Sequence, residues 1–130
     1  MKKVFVILLA LTAFVACQFK VEKKVYGKGN IASVSVDEFA RAIADSNIQI
    51  VDVRTADEHS QGAIPGSVNI DVNSGKFGAS ADSLLDKNCT VAIYCRSGRR
   101  SKKAADILSL MGYDVVELDK GYNAWVEQSK

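Results

Sequence analysis

The 130-residue chain lacks a surplus of charge of either sign. It has 17 lysine and arginine residues against 15 aspartate and glutamate residues, a formal net charge of +2. Lys2 and Lys3 account for that difference, so the rest of the chain is balanced. Nucleic-acid-binding domains normally carry a basic surplus, and we therefore expect no nucleic-acid partner. The length leaves room for one domain.

The chain also lacks an apolar run long enough to span a bilayer. The uncharged run 4–15 has twelve residues, whereas a transmembrane helix needs about twenty. Lys2 and Lys3 precede the run and a small residue, Ala16, follows it, which is the layout of a secretory signal. The stretch 14–17 resembles the lipobox of bacterial lipoproteins, in which the cysteine, here Cys17, is lipidated and becomes the new N-terminus.

The sequence therefore predicts a signal peptide over 1–16 and a lipid-anchored tether over 17–30, which is rich in lysine and glycine. The mature protein is expected to be exported and held at the membrane, periplasmic or elsewhere in the cell envelope, through its lipid anchor only. Phe14 stands where leucine is usual in a lipobox, so ordinary cleavage and release is the alternative.

Histidine and cysteine are scarce. His59 is the only histidine, and we expect it on the surface of a short helix without a catalytic role. Cys89 and Cys95 lie at opposite ends of one predicted strand, about 20 Å apart. A disulfide tolerates at most about 7 Å between Cα atoms. Cys89 is therefore predicted to be a small buried residue, and Cys95 to act without a second cysteine of this chain.

From residue 31 onward, strand and helix patterns alternate. Capping boxes at Ser35–Glu38 and Thr55–Glu58 predict two helix starts. A glycine-rich loop is expected over 73–80, a short helix over 81–86, a long helix ended by Gly112, and a last helix over 121–128. Compact apolar segments predict strands over 48–53, 67–70, 90–94 and 115–118. The pattern indicates one α/β domain over 31–130, with a central, mostly parallel sheet flanked by helices.

One loop of this domain concentrates reactive and charged residues. The strand 90–94 leads into Cys95, three arginines and Gly98, and then into the long helix. Ligands of parallel sheets bind beyond the carboxyl ends of the strands. A helix N-terminus and nearby guanidinium groups stabilise a thiolate, so the pKa of Cys95 is expected below about 8.5. Gly98 permits a loop whose backbone amides hold an anion, and arginines bind oxyanions.

Spacing separates the enzyme classes that use such a loop. Cysteine-dependent phosphatases and arsenate reductases need an arginine six positions after the cysteine. Ser101 occupies that position here, and Arg100 falls one residue short. The shorter loop suits a persulfide, which makes a phosphatase or arsenate reductase the least favoured reading.

The region from about Ser33 to Trp125 resembles the single-domain rhodaneses. The resemblance rests on the segments 51–54, 62–69, 94–101 and 118–125, together with Glu58. It implies a rhodanese-like fold in which Cys95 accepts sulfur, with Asp52 and Arg54 in a supporting polar network. The implied active-site loop comprises Arg96, Ser97, Gly98, Arg99, Arg100 and Ser101. Two positions depart from the family pattern: Ala63 stands where many members have histidine, and Lys120 where many have glycine.

The resemblance also implies a ping-pong reaction without metal or organic cofactor. A small anionic donor such as thiosulfate would pass its outer sulfur to Cys95, and cyanide or a thiol would accept it. The alternative is a low-turnover sulfur carrier, or a module of the cell envelope that binds a redox partner.

Overall fold

The computed structural model describes residues 28–130. The predicted signal peptide, Cys17 and most of the predicted tether lie outside the described residues. Within the described part, five strands alternate with five helices. In chain order they are β1 (Ile31–Val34), α1 (Val36–Ile43), β2 (Gln49–Asp52), α2 (Ala56–Ser60), β3 (Val68–Asn69), α3 (Phe77–Leu84), β4 (Val91–Tyr94), α4 (Arg99–Leu110), β5 (Val115–Leu118) and α5 (Gly121–Gln128).

The five strands form one sheet in the order β1-β5-β4-β2-β3, and all neighbouring pairs are parallel. The predicted α/β fold with a parallel sheet is confirmed. The edge strand β1 was not predicted as a strand. It pairs with β5, with Ile31 opposite Val115, and a pairing between such distant segments leaves no local sequence pattern.

Both predicted capping boxes are present. The side chains of Ser35 and Thr55 accept from the backbone N–H groups of Glu38 and Glu58, which reach back to the cap residues. The start of α3 differs from the prediction, since the helix begins at Phe77 and includes the second half of the expected glycine-rich loop. Phe77 and Ala81 lie one turn apart and are both buried, and this packing outweighs the weak helix propensity of the glycine between them.

The central strand β4 divides its side chains between two apolar clusters. Val91, Ile93 and Cys95 belong to the cluster that includes Ala104 and Leu108 of α4. The alternate residues of β4 belong to the second cluster, with Phe39 of α1 and partly buried residues of α5. Successive residues of a strand face opposite sides of its sheet. Cys95, the residue after β4, continues this alternation, so its side chain lies on the face of the sheet that packs against α4.

Candidate active site

Cys95 lies immediately after β4, at the carboxyl edge of the sheet, and residues 95–98 connect it to α4. Gly98 is the N-cap of α4 and has φ +100°. A Cβ atom at Gly98 would stand 1.9 Å from the carbonyl oxygen of Asp119. Position 98 therefore requires glycine for two reasons: the backbone is left-handed there, and the loop approaches the β5–α5 turn too closely for a side chain.

The start of α5 holds the other side of this loop. The N–H of Tyr122 donates to the carbonyl of Cys95 at 2.8 Å, and the N–H of Asn123 donates to that of Arg96 at 3.0 Å. Gly121, at φ +70°, lies so close that a Cβ there would stand 2.4 Å from the Arg96 carbonyl oxygen. The first free N–H groups of α5 thus fix the backbone that carries Cys95.

The Cys95 side chain is fully buried and surrounded by hydrogen-bonding groups. The N–H of Gly98 donates to Sγ at 3.1 Å, and Sγ lies 3.5 Å from the hydroxyl oxygen of Ser101. Burial raises the pKa of Cys95, but hydrogen bonding with Ser101 and with the backbone N–H groups of Gly98 and Ser97 outweighs it, so the pKa is lowered. The site favours a thiolate without contact to a histidine base.

The three arginines of the loop have different surroundings. Arg100 forms a two-pronged ion pair with Glu58 of α2, at 2.7 and 2.9 Å. Arg96 and Arg99 are exposed. Arg96 lines a cavity of about 300 Å³ together with the buried Arg54. The cationic groups that face this cavity are therefore Arg96 and Arg54, whereas Arg100 joins two helices.

Asp52 and Arg54 form a buried polar network beside the loop. Two guanidinium nitrogens of Arg54 donate to the Asp52 carboxylate, the shortest contact being 2.7 Å. The Arg54 guanidinium also lies over the ring of Tyr122, 4.4 Å from its centroid. Burial raises the pKa of Asp52, while hydrogen bonds from Arg54 and His59 lower it, and the net pKa is lowered. Tyr122 connects this network to the loop, because its ring packs against Arg54 and its backbone N–H donates to the Cys95 carbonyl.

The surface position expected for His59 is wrong. Its Nδ1 lies 2.9 Å from Oδ2 of Asp52, and 29% of its side chain is exposed. The His59 side chain therefore contacts the Asp52 carboxylate and is only partly exposed to solvent. A carboxylate seven residues earlier, at the end of a predicted strand, was the available signal for this contact.

Glu117 was missed by the sequence reasoning. It lies in β5, is 1% exposed, and accepts hydrogen bonds from the hydroxyls of Ser101 and Ser33. Lys102 Nζ of α4 lies 3.3 Å from its Oε1 and forms an ion pair with it. A glutamate within the apolar segment 115–118 was the signal that could have found it, since buried charges require partners.

The two departures from the family pattern fit the backbone. Lys120 is the N-cap residue of α5 with φ −98°, a conformation that needs no glycine. Ala63 is partly buried beside Ile64. Cys89 is buried as predicted, and neither it nor Cys95 takes part in a disulfide among the described residues.

Together, the parallel sheet and the loop define an α/β domain that presents a buried cysteine in a hydrogen-bonding loop, beside a cavity lined by two arginines and by Glu58. The chain belongs to the rhodanese-like domain family, whose sequence profile matches residues 35–128. Membership of this family was predicted from the segments around Arg54, Pro65 and Cys95.

Three relatives show how far the similarity extends. Thiosulfate sulfurtransferase PspE of Escherichia coli (strain K12) is 42% identical over 67 residues, covering 52% of this chain and 64% of the relative. Thiosulfate:glutathione sulfurtransferase of Saccharomyces cerevisiae is 32% identical over 110 residues, covering 75% and 79%. The crystal structure of a rhodanese-like domain protein from Staphylococcus aureus matches with a TM-score of 0.64 at 34% identity, covering 72% of this chain and 90% of that one.

The described residues contain neither a cluster of side chains suited to a metal ion nor a helix suited to crossing a membrane. Among residues 28–130, no group of three histidine, cysteine, aspartate or glutamate side chains is arranged to hold a metal ion. In that same part of the chain, none of the helices combines the length and apolarity that a membrane crossing requires.

Proposed function

We propose that the protein is a sulfurtransferase that carries a sulfane sulfur on Cys95, from thiosulfate or a similar anion to a thiol or cyanide. The observation that supports this most is the environment of Sγ, where the backbone N–H of Gly98 donates to the buried sulfur at 3.1 Å. The relatives named thiosulfate sulfurtransferases support the same reaction class.

The reaction has two balanced steps. The Cys95 thiolate attacks the outer sulfur of thiosulfate, the S–S bond of the donor breaks, and sulfite leaves with the bonding pair. The product is a persulfide anion on Cys95, with the same total charge as the reactants. A thiolate or cyanide then attacks the outer sulfur and restores the Cys95 thiolate, so that one difficult transfer becomes two easier ones.

The loop supplies binding and charge stabilisation for these steps. Arg96 and Arg54 face the cavity beside the loop, where guanidinium groups pair with the oxygens of a sulfur oxyanion. The Gly98 N–H, already directed at Sγ, stabilises negative charge on sulfur in the thiolate and in the persulfide. Preorganised donors of this kind need no rearrangement when the charge moves.

The burial of Cys95 supports a second candidate, the low-turnover sulfur carrier. The side chain has no exposed surface, and a donor sulfur is larger than a water molecule. The loop must therefore open before a donor reaches Sγ. A slow opening step would give a protein that holds sulfur well and turns over slowly, unless a partner opens the loop.

Thiocyanate production from thiosulfate and cyanide tests the proposal. Cys95→Ser should abolish turnover because the nucleophile is lost, while Cys89→Ser should retain it because Cys89 lies at the opposite end of β4. Circular dichroism shows whether both variants fold. Turnover that survives in Cys95→Ser would refute the mechanism. A folded wild type that stays persulfidated on Cys95 but does not turn over would instead identify the carrier.

We also propose that the mature protein is exported and anchored through a lipid on Cys17. The proposal rests on the sequence alone, through Lys2, Lys3, the apolar run 4–15 and Ala16-Cys17. Two or three acyl chains would hold it stably at a membrane, since one chain alone binds only marginally.

A further inference from the structure

The Ser101 hydroxyl stands between two groups that both need its proton. It lies 3.5 Å from Sγ of Cys95 on one side and donates to Oε2 of Glu117 on the other. A serine hydroxyl has one proton to donate. While Ser101 donates to Glu117, its oxygen can only accept from Cys95, which is the arrangement of a neutral thiol. A sulfur anion requires the opposite orientation of the same hydroxyl.

The donors around Glu117 are divided unevenly between its two oxygens. Oε1 receives the Ser33 hydroxyl at 2.6 Å and lies 3.3 Å from Lys102 Nζ, whereas Ser101 donates to Oε2. Lys102 has a second partner, the Asp119 carboxylate, at 2.8 Å. A buried carboxylate is a better acceptor for the Ser101 proton than a neutral thiol, because hydrogen bonds to an ionised acceptor are stronger than neutral ones.

Glu117 also lines a cavity of about 330 Å³, together with Ser33, Lys102 and Asp106 and with Ile31 and Ala105. The charged groups that face Glu117 or its cavity are thus Lys102 and Asp106 of α4, Asp119 directly after β5, and, through Ser101, Cys95. Strand β1 contributes the uncharged Ser33.

We propose that Glu117 is a positioning residue that controls the nucleophile through Ser101. Its Oε2 holds the Ser101 proton away from Cys95, so the hydroxyl cannot donate to the sulfur while this hydrogen bond is made. A side chain at position 117 that donates to Ser101 would leave the hydroxyl proton free to turn to the sulfur. No covalent bond of Ser101 would break, and the thiol proton would leave to solvent.

Glutamine at position 117 would supply such a donor. Ser33 and Lys102 both donate to the Oε1 side, so the amide oxygen is favoured there and the amide nitrogen takes the place of Oε2. That nitrogen donates to Ser101 and leaves the hydroxyl proton free for Cys95. Lys102 retains Asp119 as a partner, so Glu117→Gln leaves no buried cation unpaired.

The test measures the rate at which iodoacetamide alkylates Cys95 in the full chain as a function of pH. Mass spectrometry of the Cys95 peptide separates this reaction from that of the other cysteines. We expect Glu117→Gln to move the midpoint for thiolate formation about one pH unit lower, the value of one hydrogen bond to a charged group. In a Ser101→Ala background, the same substitution should move the midpoint much less, because the shared hydroxyl is gone.

Three results would overturn the proposal. One is a Glu117→Gln midpoint equal to or above that of the wild type. Another is an undiminished shift in the Ser101→Ala background, which would show a through-space field instead of a shared proton. The third uses Ser101→Ala alone and applies even if Glu117→Gln fails to fold. A midpoint raised by about one pH unit above the wild type would show that Ser101 already donates to the sulfur while Glu117 is present.

The biological consequence rests on the proposed function, since it concerns the thiolate that attacks the donor. The alkylation assay contains no sulfur donor, so its failure leaves the sulfurtransferase proposal intact. A lack of thiocyanate production would likewise leave the alkylation result unaffected.

Discussion

At Cys95, two requirements of the proposed sulfur chemistry oppose each other. Burial protects the sulfur from solvent but raises the pKa of the thiol, which disfavours the reactive form. Hydrogen bonding with Ser101 and with the loop amides reverses the direction, so that a buried thiol has a lowered pKa. The reversal depends on the loop backbone, and therefore on Gly98, more than on any titratable neighbour.

Gly98→Ala should abolish sulfur transfer and destabilise the fold. The left-handed conformation alone costs a non-glycine residue about 1–2 kcal/mol, and the new Cβ would also meet the Asp119 carbonyl at 1.9 Å. Gly66→Ala is the matched control, because Gly66 has φ +82° but nothing within 4 Å of an added Cβ. Urea unfolding should show a larger loss for Gly98→Ala, and thiocyanate production should be retained only in Gly66→Ala. Equal losses in the two variants would contradict the close-approach argument.

At the scale of elements, the site is held by contacts between helices that are distant in sequence. The start of α5 binds the loop backbone, and the ion pair between Glu58 and Arg100 joins α2 to the first turn of α4. This pair lowers the pKa of Glu58 from 4.5 to about 2, chiefly through the hydrogen bond from Arg100. Both side chains are about a quarter exposed, so the pair is only partly screened by solvent.

The pair makes a pH-dependent contribution to stability. Because the Glu58 pKa is lowered on folding, the contribution is complete above pH 4.5 and is lost as the pH falls toward about 2. Glu58→Gln should therefore reduce the free energy of unfolding by about 1 kcal/mol at neutral pH, with the difference from wild type vanishing in acid. Urea unfolding between neutral pH and pH about 2 measures this.

Glu38→Gln is the control for that experiment. Glu38 occupies the same capping-box position in α1 as Glu58 does in α2, and glutamine can replace glutamate in a capping box. A loss in Glu38→Gln as large as in Glu58→Gln would assign the effect to capping and not to Arg100.

For the whole molecule, the sequence was sufficient where the structure depends on local pattern. Apolar runs and capping boxes predicted four strands and the starts of α1 and α2, and the segment 95–101 identified the loop. The contacts that were missed join distant segments: β1 with β5, His59 with Asp52, and Glu117 with Ser33 and Ser101. These contacts follow from the order of strands in the sheet, which periodicity does not contain. The loop arginines were predicted as one group because their spacing does not reveal that Arg100 pairs with Glu58.

The localisation of the whole molecule is tested by metabolic labelling with a fatty-acid analogue in bacterial cells. Wild type should be labelled and recovered with the membranes, whereas Cys17→Ser should remain unlabelled, because the acyl acceptor is gone. Cys89→Ser serves as the control and should label like the wild type. A soluble, unlabelled wild type would contradict the anchor and favour simple secretion.

The arrangement of the sheet also determines when the site can form during synthesis. In the sheet, β1 has β5 as its neighbour, and the amides that fix the Cys95 carbonyl belong to Tyr122 in the last helix. A chain emerging from the ribosome therefore contains Cys95 and its arginines well before it contains the backbone that orients them. Until α5 has emerged, the hydrogen bonds from its first N–H groups to the loop are missing, and the site proposed to hold sulfur is not yet assembled.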